Sequence, residues 1–286
     1  MKPPVDDLVE WQLRTRSLRL PRSDELPLVM GIVNTTPDSF SDGGLWTRTE
    51  TAVAHGLSLI EDGADILDIG GESTRPFSDP VDSQEEWRRV GEVVRILSHE
   101  TDCPISIDTS KASVAKNAID NGAEIINDVT GLQGDPAMVQ IASETGAGIC
   151  AMHMQGTPKN MQKDPNYEDV MVEVSQFFEE RITKCEALGL SREQLILDVG
   201  IGFGKTLEHN LTLIKNMAHF RVFGCKVLVG ASRKSMIDKI ITSTAQERLP
   251  GTLVIHLKAV ENGASIVRCH DVKEHVQALA VLEAMK

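Results

Sequence analysis

One structural unit recurs along this chain: a segment with helical spacing of apolar residues, then a glycine, then a short apolar run. The glycine turn is visible at Gly63, Gly122, Gly146 and Gly263. Glycine is the usual residue just past a helix end, because it adopts the left-handed conformation that other residues avoid. The pattern therefore predicts helices that alternate with short strands.

The strands are short, mostly apolar and without an alternating pattern, which is typical of parallel strands covered on both faces. Eight such segments are predicted, at residues 28–33, 66–69, 105–107, 125–127, 148–152, 195–199, 227–229 and 265–267. Eight parallel strands separated by helices favour an α/β fold closed into a (β/α)8 TIM barrel, with the active site at the C-terminal ends of the strands. An open doubly wound sheet is the alternative.

Three helices can be delimited further. Residues 110–121 and 272–285 carry apolar side chains on one face, and Ser83 followed by Glu86 fits a capping box at the start of another helix. Residues 155–169 are expected to form a loop after the fifth strand.

The chain has 286 residues, of which 41% are hydrophobic. A barrel of this length is normally one domain, so we expect a single barrel domain over residues 26–286 after an N-terminal extension, residues 1–25. The extension is expected either to pack across the bottom of the barrel or to be loose. It contains no apolar stretch of signal-peptide length, and no segment approaches the roughly 18 apolar residues of a membrane span. We therefore expect a cytoplasmic protein without a membrane partner.

Charge and cysteine content exclude other classes. The formal net charge is −13, which disfavours nucleic acid as a partner because binding there depends on neutralising phosphates. The five cysteines are an odd number without a CxxC pair, so reduced thiols are expected rather than disulfides or a zinc site. A small anionic ligand would require a local basic cluster.

Polar side chains end or follow all eight predicted strands. They are Asn34, Glu72, Asp108, Asn127 with Asp128, His153, Asp198, Ser232 with Lys234, and Arg268 with His270. In a barrel these positions meet at the C-terminal mouth, where active sites are built. A complete ring is more than solvation alone requires.

The ring suggests a ligand with two chemically different parts. Asp108, Asn127 and Asp198 offer hydrogen-bond acceptors, which suit a flat heterocycle with a 2-amino-pyrimidinone edge. The basic residues suit phosphate or carboxylate groups; they are Arg75, Lys205, Lys234, Arg268 and His270.

Structural explanations for some of these residues stay open. Asp108 could cap the following helix, and His270 or Asp271 could cap the last helix. His153 could be a satisfied core histidine. The glycine-rich residues 200–206 match neither a phosphate-binding loop nor a dinucleotide fingerprint. These glycines are instead expected to let the backbone approach a planar ligand, with Phe203 stacking nearby.

Long motifs in the sequence resemble those of dihydropteroate synthases. Residues 30–44 (MGIVNTTPDSFSDGG) look like the first signature of that family, and residues 68–76 (DIGGESTRP) like the second. Shorter matches follow in the family's order at residues 107–111, 126–128, 204–205, 232–235 and 268–271. The sequence departs from the family pattern at Thr35, Phe77, Val199 and Ile201, without loss of an expected polar group.

The resemblance implies a (β/α)8 barrel enzyme, usually a homodimer, that joins p-aminobenzoate to 6-hydroxymethyl-7,8-dihydropterin pyrophosphate. Catalytic roles are implied for Asp108, Lys234, Asp38 and Arg268. The pterin would contact Asp108, Asn127, Asp198 and Lys234, between Met152 and Phe203. Pyrophosphate would contact Asn34, Arg75, Arg268 and His270, with Mg²⁺ near Asn34 and Asp38. The aminobenzoate would lie among Phe40, Thr74, Pro76, Phe203 and Ser232; Lys205 is a further expected substrate contact.

Two other functions fit parts of the pattern. A methyltetrahydrofolate:corrinoid methyltransferase domain would share the pterin pocket but would not need residues that bind pyrophosphate. A non-catalytic pterin-binding protein would be favoured if Asp108, Asp198, Lys234 or Arg268 were missing, and all four are present. Both are less consistent with the sequence than a synthase.

Overall fold

A computed structural model describes residues 10–22, 25–36, 45–74 and 78–286. Eight of its strands form a closed parallel barrel, which confirms the predicted fold and excludes the open sheet. A short antiparallel hairpin precedes the barrel, formed by β1 (Glu10–Gln12) and β2 (Ser17–Arg19). The barrel strands are β3 (Leu28–Asn34), β4 (Ile66–Gly70), β5 (Ile105–Asp108), β6 (Ile125–Asp128), β7 (Gly148–Met152), β8 (Leu195–Asp198), β9 (Lys226–Val229) and β10 (Ile266–Cys269).

Each barrel strand overlaps its predicted segment, and the bounds differ by at most two residues. Neighbours in the chain are neighbours in the barrel, and β10 pairs with β3 to close it. Arg268 lies opposite Met30 in that closing pair. All eight carboxyl ends therefore meet at one mouth, as the prediction required.

Helices follow the barrel strands and cover the outside of the barrel. They are α1 (Leu45–Glu61), α2 (Ser83–Glu100), α3 (Ala112–Asp120), α4 (Met138–Thr145), α5 (Val170–Ala187), α6 (Leu207–Lys215), α7 (Leu249–Glu261) and α8 (Val272–Ala284). Within the described ranges, no helix combines the length and the apolar character that crossing a membrane would take.

The glycine turns have the expected backbone. Gly63, Gly122, Gly146 and Gly263 have φ angles of +101°, +106°, +72° and +104°. At Gly122, a Cβ atom would also lie 2.6 Å from the Cβ of Ser98. Glycine is therefore required there by both backbone conformation and space.

The start of α2 corrects a prediction, and the start of α3 decides an alternative that the sequence left open. Helix α2 is capped by Asp82, whose carboxylate accepts from the backbone N–H of Glu85 at 2.8 Å, so the predicted capping box at Ser83 is wrong by one residue. Asp82 is an equally good cap and adds a negative charge at the positive helix end. Helix α3 has Lys111 at its N-cap, so Asp108 does not cap it.

The N-terminal hairpin closes the bottom of the barrel. Trp11, Leu13 and Leu20 are buried against apolar side chains from inside the barrel, including Met30 and Ile125. The indole Nε1 of Trp11 also donates to the carbonyl oxygen of Gln194 at 2.9 Å. The described part of the predicted extension thus packs across the bottom, whereas a boundary at residue 25 stays a prediction.

We predict that this plug is necessary for stability. Trp11→Ala should lower the free energy of unfolding by about 3–5 kcal/mol, because it removes a fully buried ring. Trp11→Phe should cost less, since it keeps most of the apolar contact and loses the hydrogen bond to Gln194. Urea denaturation measures both; a Trp11→Ala loss below about 0.5 kcal/mol, as for a surface substitution, would show that the hairpin is not docked.

Candidate active site

A cavity of about 830 Å³ opens at the mouth of the barrel, within the size range of small-molecule sites. Eight of the residues predicted from the sequence line it: Asn34, Glu72, Thr74, Asp108, Ser232, Lys234, Arg268 and His270. Asn127, Met152, Asp198, Phe203 and Lys205 are buried. The predicted Asp38, Phe40, Arg75 and Pro76 lie outside the described residues.

Arg268 links three strands across the interior of the barrel. Its Nε donates to Oδ2 of Asp68 at 2.6 Å, and one terminal nitrogen donates to Oδ2 of Asp108 at 2.7 Å. Arg268 lies on β10, and the two aspartates lie on β4 and β5. The ion pairs therefore cross β3, which separates β10 from β4 in the barrel. The guanidinium thus has a fixed orientation beneath the cavity.

Asp68 is the central acceptor of this network, a role that was not predicted from the sequence. It is completely buried and also accepts from Ser106 Oγ at 2.6 Å and from Asn127 Nδ2 at 3.0 Å. These bonds turn the Asn127 carboxamide so that its oxygen points away from Asp68. An aspartate inside an apolar strand was the available signal, because buried carboxylates almost always have partners.

The charge balance of the network favours a proton on Asp108. Burial raises the pKa of Asp108 to about 7; the Arg268 guanidinium lowers it, and the negative charge of Asp68 raises it. Two carboxylates share one guanidinium, so the second negative charge is not neutralised. Asp108 can therefore exchange a proton near neutral pH.

Lys234 and Phe203 form the adjoining wall. Lys234 Nζ lies 3.9 Å from the centre of the Phe203 ring, a cation–π contact. Burial and the nearby Arg268 charge lower the pKa of Lys234 to about 8. Phe203 packs with Met152 and Met161 in an apolar cluster, so the two predicted walls, Met152 and Phe203, are brought together.

Lys205 is held by protein groups on all sides. Its Nζ lies 2.9 Å from His153 Nδ1 and donates to the carbonyl oxygens of His153, Gly200 and Phe203 at 3.2, 3.0 and 3.0 Å. Burial lowers the pKa of Lys205 to about 7 and that of His153 to about 2. These contacts tie the loop after β8 to the loop after β7, which is a structural role for both residues; a substrate contact of Lys205 stays a prediction.

The glycines after β8 serve the same junction. A Cβ atom at Gly200 would lie 1.9 Å from the carbonyl oxygen of His153, and one at Gly204 would lie 2.4 Å from that of Gln155. Glycine at these two positions thus allows the loop after β8 to approach the backbone of the loop after β7. The Gly200 N–H donates to Asp198 Oδ1 at 2.8 Å, and burial raises the pKa of Asp198.

The far side of the cavity is basic. Ser232 Oγ lies 2.9 Å from His270 Nδ1, and burial together with Arg268 lowers the pKa of His270 to about 3. Asp271 makes no capping bond to α8, and its carboxylate accepts from Arg233. Arg233 and Arg248 also line the cavity, although the sequence analysis gave them no role.

Comparison with known proteins gives concordant matches. Residues 30–270 match a family described as pterin binding enzyme. The chain is 48% identical over 258 residues to dihydropteroate synthase of Escherichia coli (strain K12), covering 90% of this chain and 91% of the relative.

Two solved structures are similar as well. One is the Yersinia pestis dihydropteroate synthase with a sulfonamide drug complex. It superimposes with a TM-score of 0.89 and is 42% identical in sequence, and the match covers 96% of this chain and 98% of the other. The second is the Xanthomonas albilineans dihydropteroate synthase with 4-aminobenzoic acid. Its TM-score is 0.89 and its sequence identity is 41%, and the match covers 97% of this chain and 98% of the other.

We predict that Asp108 titrates near neutral pH, mainly because it is buried, and that the negative charge of Asp68 adds to the rise in its pKa. Asp68→Asn should lower the pKa of Asp108, since it removes a like charge and leaves Arg268 to Asp108 alone. Asp65→Asn is the matched control, because Asp65 accepts from Val29 N–H outside this network and should leave Asp108 unchanged. Carbon-13 NMR of the carboxyl groups measures the titration.

The contribution of Asp108 to the free energy of unfolding depends on pH, and its direction follows from the raised pKa of this carboxyl group. The folded-state pKa of Asp108 exceeds its unfolded value, so its contribution is complete below about pH 4 and is lost as pH rises through about 7. A wild-type Asp108 that titrates near its ordinary pKa of about 4 would contradict this charge balance.

Proposed function

This chain belongs to the pterin-binding enzyme family, and on that premise we propose that it acts as a dihydropteroate synthase. It is a transferase of folate biosynthesis that condenses p-aminobenzoate with 6-hydroxymethyl-7,8-dihydropterin pyrophosphate to give 7,8-dihydropteroate and pyrophosphate. The observation that carries the proposal is one cavity lined by the Asp108 carboxylate and by cationic side chains that include Lys234 and Arg268.

The reaction breaks one C–O bond and forms one C–N bond. Pyrophosphate leaves with the electron pair of the C–O bond, the developing cation at the methylene is delocalised into the dihydropterin ring, and the aniline nitrogen attacks that carbon. The nitrogen then loses a proton. An aniline nitrogen is already nucleophilic, so the site needs charge stabilisation more than a strong base.

The acceptors suit the pterin. Asp108, Asn127 and Asp198 can accept hydrogen bonds from the N–H groups of the pyrimidinone edge, while Lys234 can donate to its ring acceptors. Asp108, when ionised, also stabilises the cation that forms as pyrophosphate leaves. Met152 and Phe203 supply apolar contacts to the ring.

The cationic side suits the two anionic groups. Arg268 uses two N–H groups for Asp68 and Asp108 and retains others to donate to a phosphate oxygen. His270 can donate from Nε2 to the same group. Thr74, Phe203 and Ser232 are the described residues proposed for p-aminobenzoate. The same site is proposed as a sulfonamide target, because the Yersinia pestis relative was solved with such a drug.

Mg²⁺ is proposed as the cofactor that accompanies pyrophosphate. Asn34 lines the cavity and offers one amide oxygen, and the described residues contain no group of three or more acidic, histidine or cysteine side chains that could hold a metal. That donor set fits Mg²⁺, which is commonly bound through substrate phosphates and few protein oxygens. The ion would neutralise charge on the leaving group.

A homodimer is proposed on the basis of an apolar surface on α7 and α8. Val254, Val281 and Met285 are 69%, 55% and 71% exposed, beside a groove lined by Leu253 and Leu257. Contiguous exposed apolar residues favour an interface. Light scattering of Val281→Glu should show a shift towards monomer.

A cytoplasmic location is proposed because all five cysteines are free. Free buried thiols are typical of reducing compartments.

We predict that the purified protein with Mg²⁺ releases pyrophosphate only when both substrates are present, with 7,8-dihydropteroate as the product. A coupled pyrophosphate assay with mass spectrometry of the product measures this. Methyl transfer from methyltetrahydrofolate to a corrinoid protein, without dihydropteroate formation, would contradict the proposal.

We predict different defects for two buried aspartates. Asp108→Asn should lower kcat about 10²–10³-fold, because a negative charge near the developing cation is lost. Asp198→Asn should mainly raise KM for the pterin substrate, because a donor replaces an acceptor facing ligand N–H groups. Steady-state kinetics distinguish the two, and near-normal kcat in Asp108→Asn would remove its catalytic role.

A further inference from the structure

Two buried histidines connect α7 to α8 behind the cavity. His256 Nδ1 lies 2.8 Å from His275 Nε2, and the two side chains are almost completely buried. The backbone N–H of Ala231 donates to His256 Nε2 at 2.8 Å. At the other end, His275 Nδ1 lies 2.6 Å from the carbonyl oxygen of Asp271.

The backbone groups at the two ends determine where the protons lie. Ala231 N–H is a donor, so Nε2 of His256 must accept and its proton must be on Nδ1. That proton is donated to Nε2 of His275, whose own proton is therefore on Nδ1 and is donated to the Asp271 carbonyl. The chain of bonds is complete with both rings neutral.

A further proton would break this chain. Protonating His275 at Nε2 would place two N–H groups opposite each other, and protonating His256 would do the same against Ala231. Burial, with the neighbouring His275, lowers the pKa of His256 well below its ordinary value, and burial also lowers the pKa of His275. The pair is therefore neutral and its bonds are intact at neutral pH.

The histidine pair joins the two loops that carry the basic side of the cavity. Ala231 directly precedes Ser232, and Asp271 directly follows His270. The side chains of Ser232 and His270 contact each other and line the cavity, whereas those of the histidine pair do not. A second tie, from Arg233 to Asp271, joins the same loops nearer the surface.

We propose that His256 and His275 are positioning residues, which fix the spacing between the loops after β9 and β10 and so place Ser232 and His270. The inference rests on the proposed function, in which Ser232 and His270 bind an aromatic carboxylate and a pyrophosphate group. The pair holds each loop by a backbone group, so the substrate-contacting side chains stay available to ligands.

The test is a kinetic comparison of His256→Leu, His275→Leu and the double variant. Each single variant should raise KM for both substrates about fivefold to tenfold, as expected for one lost buried hydrogen bond per loop, with kcat within about twofold. The double variant should be no worse than the single ones, because all three break one chain. His256→Gln should recover part of the loss, since its side-chain oxygen can accept from Ala231.

Leu279→Ala is the matched control, because Leu279 is buried on α8 and takes no part in the histidine chain. It should lower Tm as the histidine variants do, without raising either KM. Binding of a pterin that lacks pyrophosphate, measured by calorimetry, should be equal in wild type and His256→Leu. Unchanged KM values in His256→Leu, or KM values raised equally in Leu279→Ala, would overturn the positioning role.

A readout independent of turnover separates this inference from the proposed function. Nitrogen-15 NMR of the imidazole rings should show both histidines neutral with the proton on Nδ1, and His256→Leu should weaken inorganic pyrophosphate binding. The wild-type protein could form no dihydropteroate while both rings are neutral with the proton on Nδ1 and His256→Leu weakens pyrophosphate binding. In that case the proposed function fails and the positioning role stands. A protonated ring or the opposite tautomer at pH 7 would overturn the positioning role.

Discussion

Pairing of β10 with β3 closes the sheet, and the site depends on that closure. Only in a closed barrel does an arginine on the last strand reach aspartates on β4 and β5. The interior is shielded from water, so each charge there needs a partner. Arg268 supplies one positive charge to Asp68 and Asp108, and burial together with the uncompensated negative charge raises the pKa of Asp108 to about 7.

The loops after β7 to β10 surround the mouth of the barrel, and buried side chains that do not line the cavity fix their positions. Lys205 and His153 join the loops after β7 and β8, and His256 with His275 joins the loops after β9 and β10. Both connections use buried side chains that bond to backbone atoms, so they fix loops without occupying the cavity. Such support is what a precise binding site requires.

The strands, and the polar residues that meet at the mouth of the barrel, could be predicted because they depend on local patterns. These patterns are apolar runs, glycine turns and polar residues at the strand ends. The contacts of Lys205 could not be predicted, because a sequence does not tell whether a lysine in the loop after a strand points to a ligand or to neighbouring carbonyls. Asp68 carried a signal, a charge within an apolar strand, but its partners Ser106, Asn127 and Arg268 are distant in sequence and lie on other strands. His256 and His275 lie on different helices, so only the packing of α7 on α8 brings them together.

The most direct test of this charge balance is the number of protons released when a 6-hydroxymethylpterin binds. Calorimetry near pH 6.5 in buffers of different ionisation enthalpy measures it. If pterin N–H groups require an ionised Asp108 whose pKa is about 7 in the free protein, binding should release roughly 0.5–1 proton, and Asp108→Asn should abolish most of the release. Proton uptake, or a release unchanged by Asp108→Asn, would contradict the account.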